Sequence, residues 1–490
     1  MFQIILSIFI AILSGPEPER PNILFIVSED NGPELGCYGA PIKTPNLDAL
    51  AARGVLFEKA FVPQAGCSQS RASFLTGLYP HQNGQIGLAT WKYSMYEQDI
   101  PNVTKSLHKA GYTTGIIGKL HVNPEDAFVF DWQPEDVDLR GSNFKRKKLN
   151  KYISEATAFM TQSHKPFYLQ VNFPDAHEPF LPQVDGVPTR PLNWQNVEAL
   201  PYMEINDSTL RQQTADYYNC LMRLDKYVGD LLDALEKTGK SKNTIVVYIG
   251  DHGADLLRGK RTCYEGGLRI PMIIADGRSN STSKRDSNMV STLDLYPTFL
   301  SLAGLKIPEY LPGVSLEPSL NGEEGEVRKY LFAEYHTHSN HDPYPQRCVR
   351  NERYKLIHNL LPEVENPGFN YTLDHVVQYT ENDIRKNADS TIWKAYINMK
   401  KPQEFELYDL ENDPHEFNNL ADASNHLETL ELMKSKLLEW QKQTNDPMID
   451  HEIARKVFDA INTTGTREKE RTMVPYFDWM YPEKMVWKRP

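Results

Sequence analysis

Short apolar runs punctuate the first two thirds of the chain: Ile23–Val27, Thr114–Ile117, Tyr168–Val171, Thr244–Ile249 and Met272–Ile274. They are rich in β-branched residues and lack polar alternation, the pattern of strands in a parallel sheet buried on both faces. Between them the apolar spacing lengthens to that of helices. Thr44, Pro45, Leu47, Leu50, Ala51 and Gly54 supply a cap, a first-turn proline, an apolar stripe and a terminal glycine. The stretch from Thr214 to Lys237 repeats Tyr217, Cys220, Leu221, Leu224, Val228 and Leu231 at helical spacing. Strands alternating with helices predict an α/β fold.

The character changes near Glu323. Tyr330–Glu334, Tyr354–Asn359 and Phe405–Leu410 read as antiparallel strands, Leu427–Lys442 as a helix, and a Trp- and Tyr-rich tail closes the chain. The expected organisation is a large body over residues 20–322 and a smaller α+β subdomain over 323–490. At the other end, Ile4 to Leu13 is apolar apart from Ser7 and is followed by Ser14 and Gly15. Ten residues are too few to span a bilayer but suit the core of a signal peptide over residues 1–15, so export is expected. A buried N-terminal strand is the alternative. No other run is apolar and long enough to predict stable membrane insertion.

Composition narrows the function. A net charge of −12 gives no global basic field, so nucleic acid is not expected as a partner, and an anionic ligand needs a local pocket. Cys37, Cys67, Cys220, Cys263 and Cys348 are scattered, with no zinc spacing among them. Their odd number leaves at least one free thiol or one cysteine for chemistry, with one bridged pair open among the rest.

The segments after the strands carry the chemistry. The first run ends in Glu29-Asp30, the second in Gly118-Lys119-Leu120-His121, the third leads to Asp175-Ala176-His177, and the fourth ends in Gly250-Asp251-His252-Gly253. Ligands of open α/β sheets sit beyond the carboxyl ends of the strands. Turn chemistry explains an Asp or Asn in any one of these loops, but it calls for neither the lysine nor the histidines. Glu29, Asp30 and Asp251 would repel one another unless a cation lay among them. Oxygen donors without a thiolate cluster point to a hard ion, calcium ahead of magnesium, with His252 as a further ligand or a neighbour of the bound group.

The segment Cys67-Ser68-Gln69-Ser70-Arg71 opens a helical run that ends in Leu75-Thr76-Gly77. A helix starting at Cys67 would set that side chain against free N–H groups and a positive dipole end, with Arg71 one turn along.

This segment resembles the modification motif of the sulfatase family, Cys-x-Pro-Ser-Arg, with Gln69 where proline is usual. Pro21 to Gly39, Gly118-Lys119 with His121, Gly250 to Gly253, Lys260 with Tyr264 to Gly267, and Glu406 to Leu410 with Asp413-Pro414 and Glu416 are similar to further family blocks. Glu29 stands where aspartate is commoner. The likeness covers nearly the whole chain and implies an alkaline-phosphatase-like fold: a large mixed, mostly parallel sheet sandwiched by helices, with the smaller C-terminal subdomain. Arg71 to Leu88, Gly115 to Val122, Tyr344-Pro345 with Arg347, and Leu356 to Leu360 are most similar to the branch that removes N-linked sulfate from glucosamine in heparan-type chains.

The resemblance further implies that a maturation enzyme oxidises Cys67 to formylglycine, whose hydrate attacks sulfur, forms a covalent sulfo-enzyme and expels sulfate by reforming the aldehyde. Glu29, Asp30, Asp251, His252 and position 67 would hold the metal. Arg71 and Lys119 would hold the hydrate, and His121 would accept its proton. His177 and Lys260 would bind sulfate oxygens, with either as the proton donor. For specificity, the loop from Glu334 to Arg347 supplies His338 and Arg347, with His336, His341 and Asp342 beside them. The run Lys145-Arg146-Lys147-Lys148 is expected to be a solvated helix face rather than a glycan contact. The expected partner is a sulfated saccharide, and a homodimer is left open. The rival readings are an O-sulfatase, a phosphoesterase of the wider superfamily, and a glycan-binding protein with unmodified Cys67.

Overall fold

The structure is a computed structural model that describes residues 20–279 and 283–463. The expected leader and the aromatic tail beyond residue 463 lie outside the described residues. Eleven strands are formed among the described residues: β1 (Asn22–Ser28), β2 (Val55–Phe61), β3 (Thr113–Ile117), β4 (Phe167–Phe173), β5 (Thr244–Gly250), β6 (Arg269–Asp276), β7 (Lys284–Ser291), β8 (Leu331–Tyr335), β9 (Gln346–Arg350), β10 (Tyr354–Asn359) and β11 (Phe405–Asp409). The helices that matter for the site are α1 (Pro45–Ala51), α2 (Cys67–Thr76), α3 (Leu149–Gln162), α4 (Ser208–Lys237) and α5 (Leu427–Thr444).

The first seven strands form one sheet in the order β3-β4-β1-β5-β6-β2-β7. β1 pairs in parallel with β4 and β5, β3 with β4, and β2 with β7. The sheet is mixed and mostly parallel, as expected: β6 pairs antiparallel with both β5 and β2, so of the five apolar runs read as strands only Met272–Ile274 runs against the others. Its three residues are as apolar as their neighbours, and direction leaves no mark on such a run.

Helices cover both faces. On β4, Tyr168 faces the side where Phe25 meets Phe74 of α2, with ring centroids 5.4 Å apart. The alternate residues Phe167 and Phe173 meet Phe159 and Tyr152 of α3 on the opposite side. Every residue of β1, β4 and β5 is buried, as a sheet covered on both faces requires.

The second sheet is antiparallel, in the order β11-β10-β9-β8, with α5 packed on it through Met433, Leu437 and Trp440. One apolar cluster runs without a break from Ile23–Val27 to Tyr335, Ile357 and Tyr408, so the two sheets share a core. All five cysteines are free, so the bridged pair left open by the sequence is not formed. No helix among the described residues is long and apolar enough to cross a membrane.

Candidate active site

Because six of the seven strands point one way, the segments after β1, β3, β4 and β5 gather at one sheet edge, and α2 begins there after β2. Cys67 is the first residue of α2, behind the extended Gly66. Its Sγ lies 3.3 Å from His252 Nε2 and 3.8 Å from Asp30 Oδ1. His252 Nε2 is 3.2 Å from Asp30 Oδ1 and 3.7 Å from Asp251 Oδ1. Donor atoms of Asp30, Cys67, Asp251 and His252 all lie within 4.8 Å of one another, and all four residues are buried. His252 Nδ1 lies 2.8 Å from the Gly253 carbonyl, and donation there leaves Nε2 as a free ligand atom.

This donor set fits a hard cation. Burial disfavours the charged imidazolium of His252, yet Asp251, Asp30 and Cys67 outweigh burial and hold it up to about 9. The pocket thus attracts a positive charge at the position a metal would take. Glu29 stands apart from this cluster: its Oε2 accepts from Lys119 Nζ at 2.8 Å. Glu29 is the one expected ligand that lies outside the cluster. The carboxylate one residue before Asp30 pairs with the lysine that follows β3, two strands away in the sheet, and the two neutralise each other's charge.

Three cations frame position 67. Lys260 Nζ sits 3.0 Å from Asp30 Oδ2, which holds the ammonium well above its usual range against the effect of burial. Lys119, likewise raised against burial, faces Cys67 and Glu29. Burial alone would raise the Cys67 thiol, but Lys119, Lys260 and His252 reverse that and hold it well below an ordinary thiol. Arg71 is fully buried: Nε donates to Asp251 Oδ2 at 3.0 Å, and Nη1 donates to the Lys119 carbonyl and to Asn172 Oδ1. It braces the Asp251 carboxylate and the Lys119 backbone together.

The histidines differ in state. Burial and Lys119 push His121 down to about 4, against the opposing effect of the adjacent Cys67, and its ring is buried. A neutral imidazole directed at Cys67 fits a hydroxyl-bearing group at position 67. His177 is displaced the other way: burial lowers it, and Asp30 more than compensates. His338 is held well below its usual range by burial, Lys260 and Arg261.

Cys67, Lys119, His121, His177, Lys260 and His338 all line one cavity of about 170 Å³. Sequence reasoning missed several of its other walls: Trp91, Phe144, Asp255, Arg261 and Tyr371. Arg261 pairs with both carboxylate oxygens of Asp255, at 2.5 and 2.9 Å, and lies over the Tyr371 ring. It also approaches Asp342, whose Oδ1 accepts the backbone N–H groups of His338 and Ser339. Gln69, in the place of the usual proline, is buried and donates from Nε2 to the Thr337 carbonyl at 2.6 Å. The loop bearing His338 is therefore fastened to the first turn of α2.

Two expectations are corrected here. Arg347 does not line the cavity: its side chain is fully buried, donating from Nε and Nη2 to the two oxygens of Asp446 at 2.7 Å each. On β9 its side chain takes the face packed on the C-terminal elements. Nor is Lys145–Lys148 a helix face: Lys145 and Lys147 are exposed as expected, but α3 begins after Lys148 and Arg146 is fully buried.

The sulfatase family model matches residues 21–305, more than half of the chain. The chain belongs to the sulfatase family. This sulfatase is a hydrolase of sulfuric esters or sulfamides, and its residues 250–366 also match the model described as N-sulphoglucosamine sulphohydrolase, C-terminal. It is 32% identical to human N-sulphoglucosamine sulphohydrolase over 88% of this chain and 92% of the relative. It is 30% identical to an ulvan-active sulfatase of Formosa agariphila, over 93% and 86% of the two chains. Among solved structures, a protein in complex with its substrate D-glucosamine-2-N,6-O-disulfate superposes with a TM-score of 0.67 at 22% identity. That superposition covers 87% of this chain and 99% of the other, and supports the fold.

Proposed function

We propose that this sulfatase removes N-linked sulfate from glucosamine at the non-reducing end of heparan- or heparin-type chains. The observation that carries the reading is where the second family match falls. Residues 250–366 include Asp255, Lys260, Arg261, His338 and Ser339, all of which line the cavity beside position 67. A cavity of about 170 Å³ has room for one sugar ring, which supports action at a chain end.

Asp30, Asp251, His252 and position 67 would hold a calcium ion, with magnesium the alternative, whose charge would stabilise sulfuryl oxygens. Formylglycine at position 67 would supply a hydrated aldehyde, a nucleophile with two hydroxyls on one carbon. The protein's own residues then divide the remaining work. Lys119 and Lys260 bind oxygens of the sulfate group, and the N-terminus of α2 adds its free N–H groups. Arg71 keeps Asp251 and the Lys119 backbone in register. His121, neutral over the working range, accepts a proton from the group at position 67. His177, raised by Asp30, donates a proton to the departing nitrogen, with Lys260 as the second candidate. Trp91, Phe144 and Tyr371 give the sugar apolar walls.

A second reading is an O-sulfatase, favoured by the 30% identity to the ulvan-active enzyme and 25% to a Bacteroides thetaiotaomicron N-acetylglucosamine-6-O-sulfatase. Sulfate release from N-sulfoglucosamine and from glucosamine 6-sulfate separates the two. Turnover of the N-sulfated sugar is expected, and turnover of the O-sulfated sugar alone would overturn the reading. Export and maturation by a formylglycine-generating enzyme go with it and are tested by fractionation and peptide mass spectrometry from the native host.

A further inference from the structure

Arg146 carries a positive charge into the protein from the middle of a basic run. Its backbone is left-handed, with φ at 49°, and its side chain is fully buried. A non-glycine residue held in that conformation, with its charge out of water, needs compensation from its surroundings. The guanidinium has it in full. Nε donates to Asp175 Oδ1 at 2.9 Å, Nη1 donates to the Phe144 carbonyl, and Nη2 donates to the His177 carbonyl.

These last two contacts tie together the loop before α3 and the loop after β4. Each loop brings one ring to the cavity, and the Phe144 and His177 rings meet with centroids 5.0 Å apart. His177 Nδ1 lies 2.6 Å from the Glu178 carbonyl, and donation there directs Nε2 to the cavity. The histidine is thus fixed at three points: its own carbonyl by Arg146, its ring face by Phe144 and its Nδ1 by Glu178.

Asp175 has a second arginine. Arg223 of α4 donates from Nε to Oδ2 at 2.7 Å and from Nη2 to Oδ1 at 2.6 Å. Its remaining Nη1 goes to the Leu181 carbonyl at 2.8 Å. Both arginines brace the same carboxylate, but Arg146 alone of the two bonds to Phe144 and His177.

We propose that Arg146 is a positioning residue for leaving-group protonation, holding His177 and Phe144 in place without touching substrate. The inference rests on His177 being the proton donor. Protonation matters for a poor leaving group such as a sugar amine or alcohol, and little for an aryl sulfate that departs as a stabilised phenolate. Arg146 should therefore matter for one class of substrate and not the other.

The experiment compares the parent enzyme with Arg146→Lys, Arg223→Lys and His177→Ala. The substrates are whichever sulfated glucosamine the parent turns over and 4-nitrophenyl sulfate. Arg146→Gln serves as a second variant if the lysine form is poorly folded. Arg146→Lys is expected to lower kcat on the sugar by about tenfold or more and on the aryl sulfate by less than about threefold, with KM nearly unchanged. His177→Ala should show the same asymmetry more strongly, and Arg223→Lys should lower both substrates in proportion. An equal loss on both substrates for the Arg146 variants would overturn the proposal and make the residue structural. An equal loss for His177→Ala would overturn the proton-donor reading, and this inference with it.

Discussion

Cys67 Sγ lies 3.3 Å from His252 Nε2, joining the first turn of α2 to the end of β5 across 185 residues of chain. The contact exists because β1, β5 and β2 run the same way in one sheet. The loop after β5 and the helix after β2 therefore open at the same edge. Around that contact Asp30 and Asp251 bring negative charge, while Lys119 and Lys260 bring positive charge. No strand of the sheet holds all of this chemistry.

Cys67→Ala should abolish sulfate release, by at least about a thousandfold, while leaving the fold intact. The residue's Sγ bonds to the cluster and its backbone begins a helix that alanine can also begin. Circular dichroism and sulfate release together check it. Residual turnover within about tenfold of the parent would place the nucleophile elsewhere.

Chelation is expected to lower both activity and thermal stability, with calcium restoring them. Asp30 and Asp251 are fully buried beside a histidine that they hold up to about 9, so they favour any cation that binds there. An ion at 100 to 1,000 times its Kd adds about 3–4 kcal/mol to stability. Melting curves with chelator, with calcium and with magnesium test this and rank the two ions. Unchanged melting and turnover after exhaustive chelation would rule out a resident metal.

Arg347→Ala should destabilise the protein by about 3–5 kcal/mol, because it strands the buried Asp446 carboxylate. Burial raises that carboxyl, yet Arg347 outweighs it and holds it at about 2. The sign follows from the depressed pKa: this stabilisation is present above the ordinary carboxylate range and is lost as pH falls toward 2. KM in the surviving folded enzyme should not change. His338→Ala should behave in the opposite way, altering KM or kcat with little effect on melting. A raised KM without lost stability in Arg347→Ala would return that residue to the substrate pocket.

Arg347 also shows what the chain's pattern can and cannot reveal. Ile23–Val27, Tyr168–Val171 and Thr244–Ile249 are legible as strands because both their faces are covered, which leaves only apolar residues. β9 is not, since Gln-Arg-Cys-Val-Arg is polar in composition yet buried at all five positions, its charges met by partners distant in sequence. β7 hides for a similar reason, as its first half is polar and partly exposed. α2 has no apolar stripe to read, because all ten of its residues are buried, polar ones included. Cys67 and the residues after the strands are legible through chemistry that turns do not require. Arg146 and Arg347 mislead because charge alone does not say which partner it meets.

Glu34 gives a pH dependence independent of catalysis. Burial pushes its carboxyl up to about 7, although Tyr217 donates to Oε2 at 2.9 Å and opposes the shift. The folded protein therefore keeps a proton there that the unfolded chain has released. The resulting stabilisation is complete below the unfolded value near 4.5 and is lost as pH rises through about 7. A shift of this size corresponds to about 1–3 kcal/mol across that window, allowing for partial exposure. Glu34→Gln keeps an acceptor for Tyr217 and removes the ionisation. It should match the parent near pH 5 and exceed it in melting temperature near pH 8. A variant no more stable than the parent at pH 8 would mean that Glu34 ionises without cost, and that Tyr217 satisfies the carboxylate better than burial penalises it.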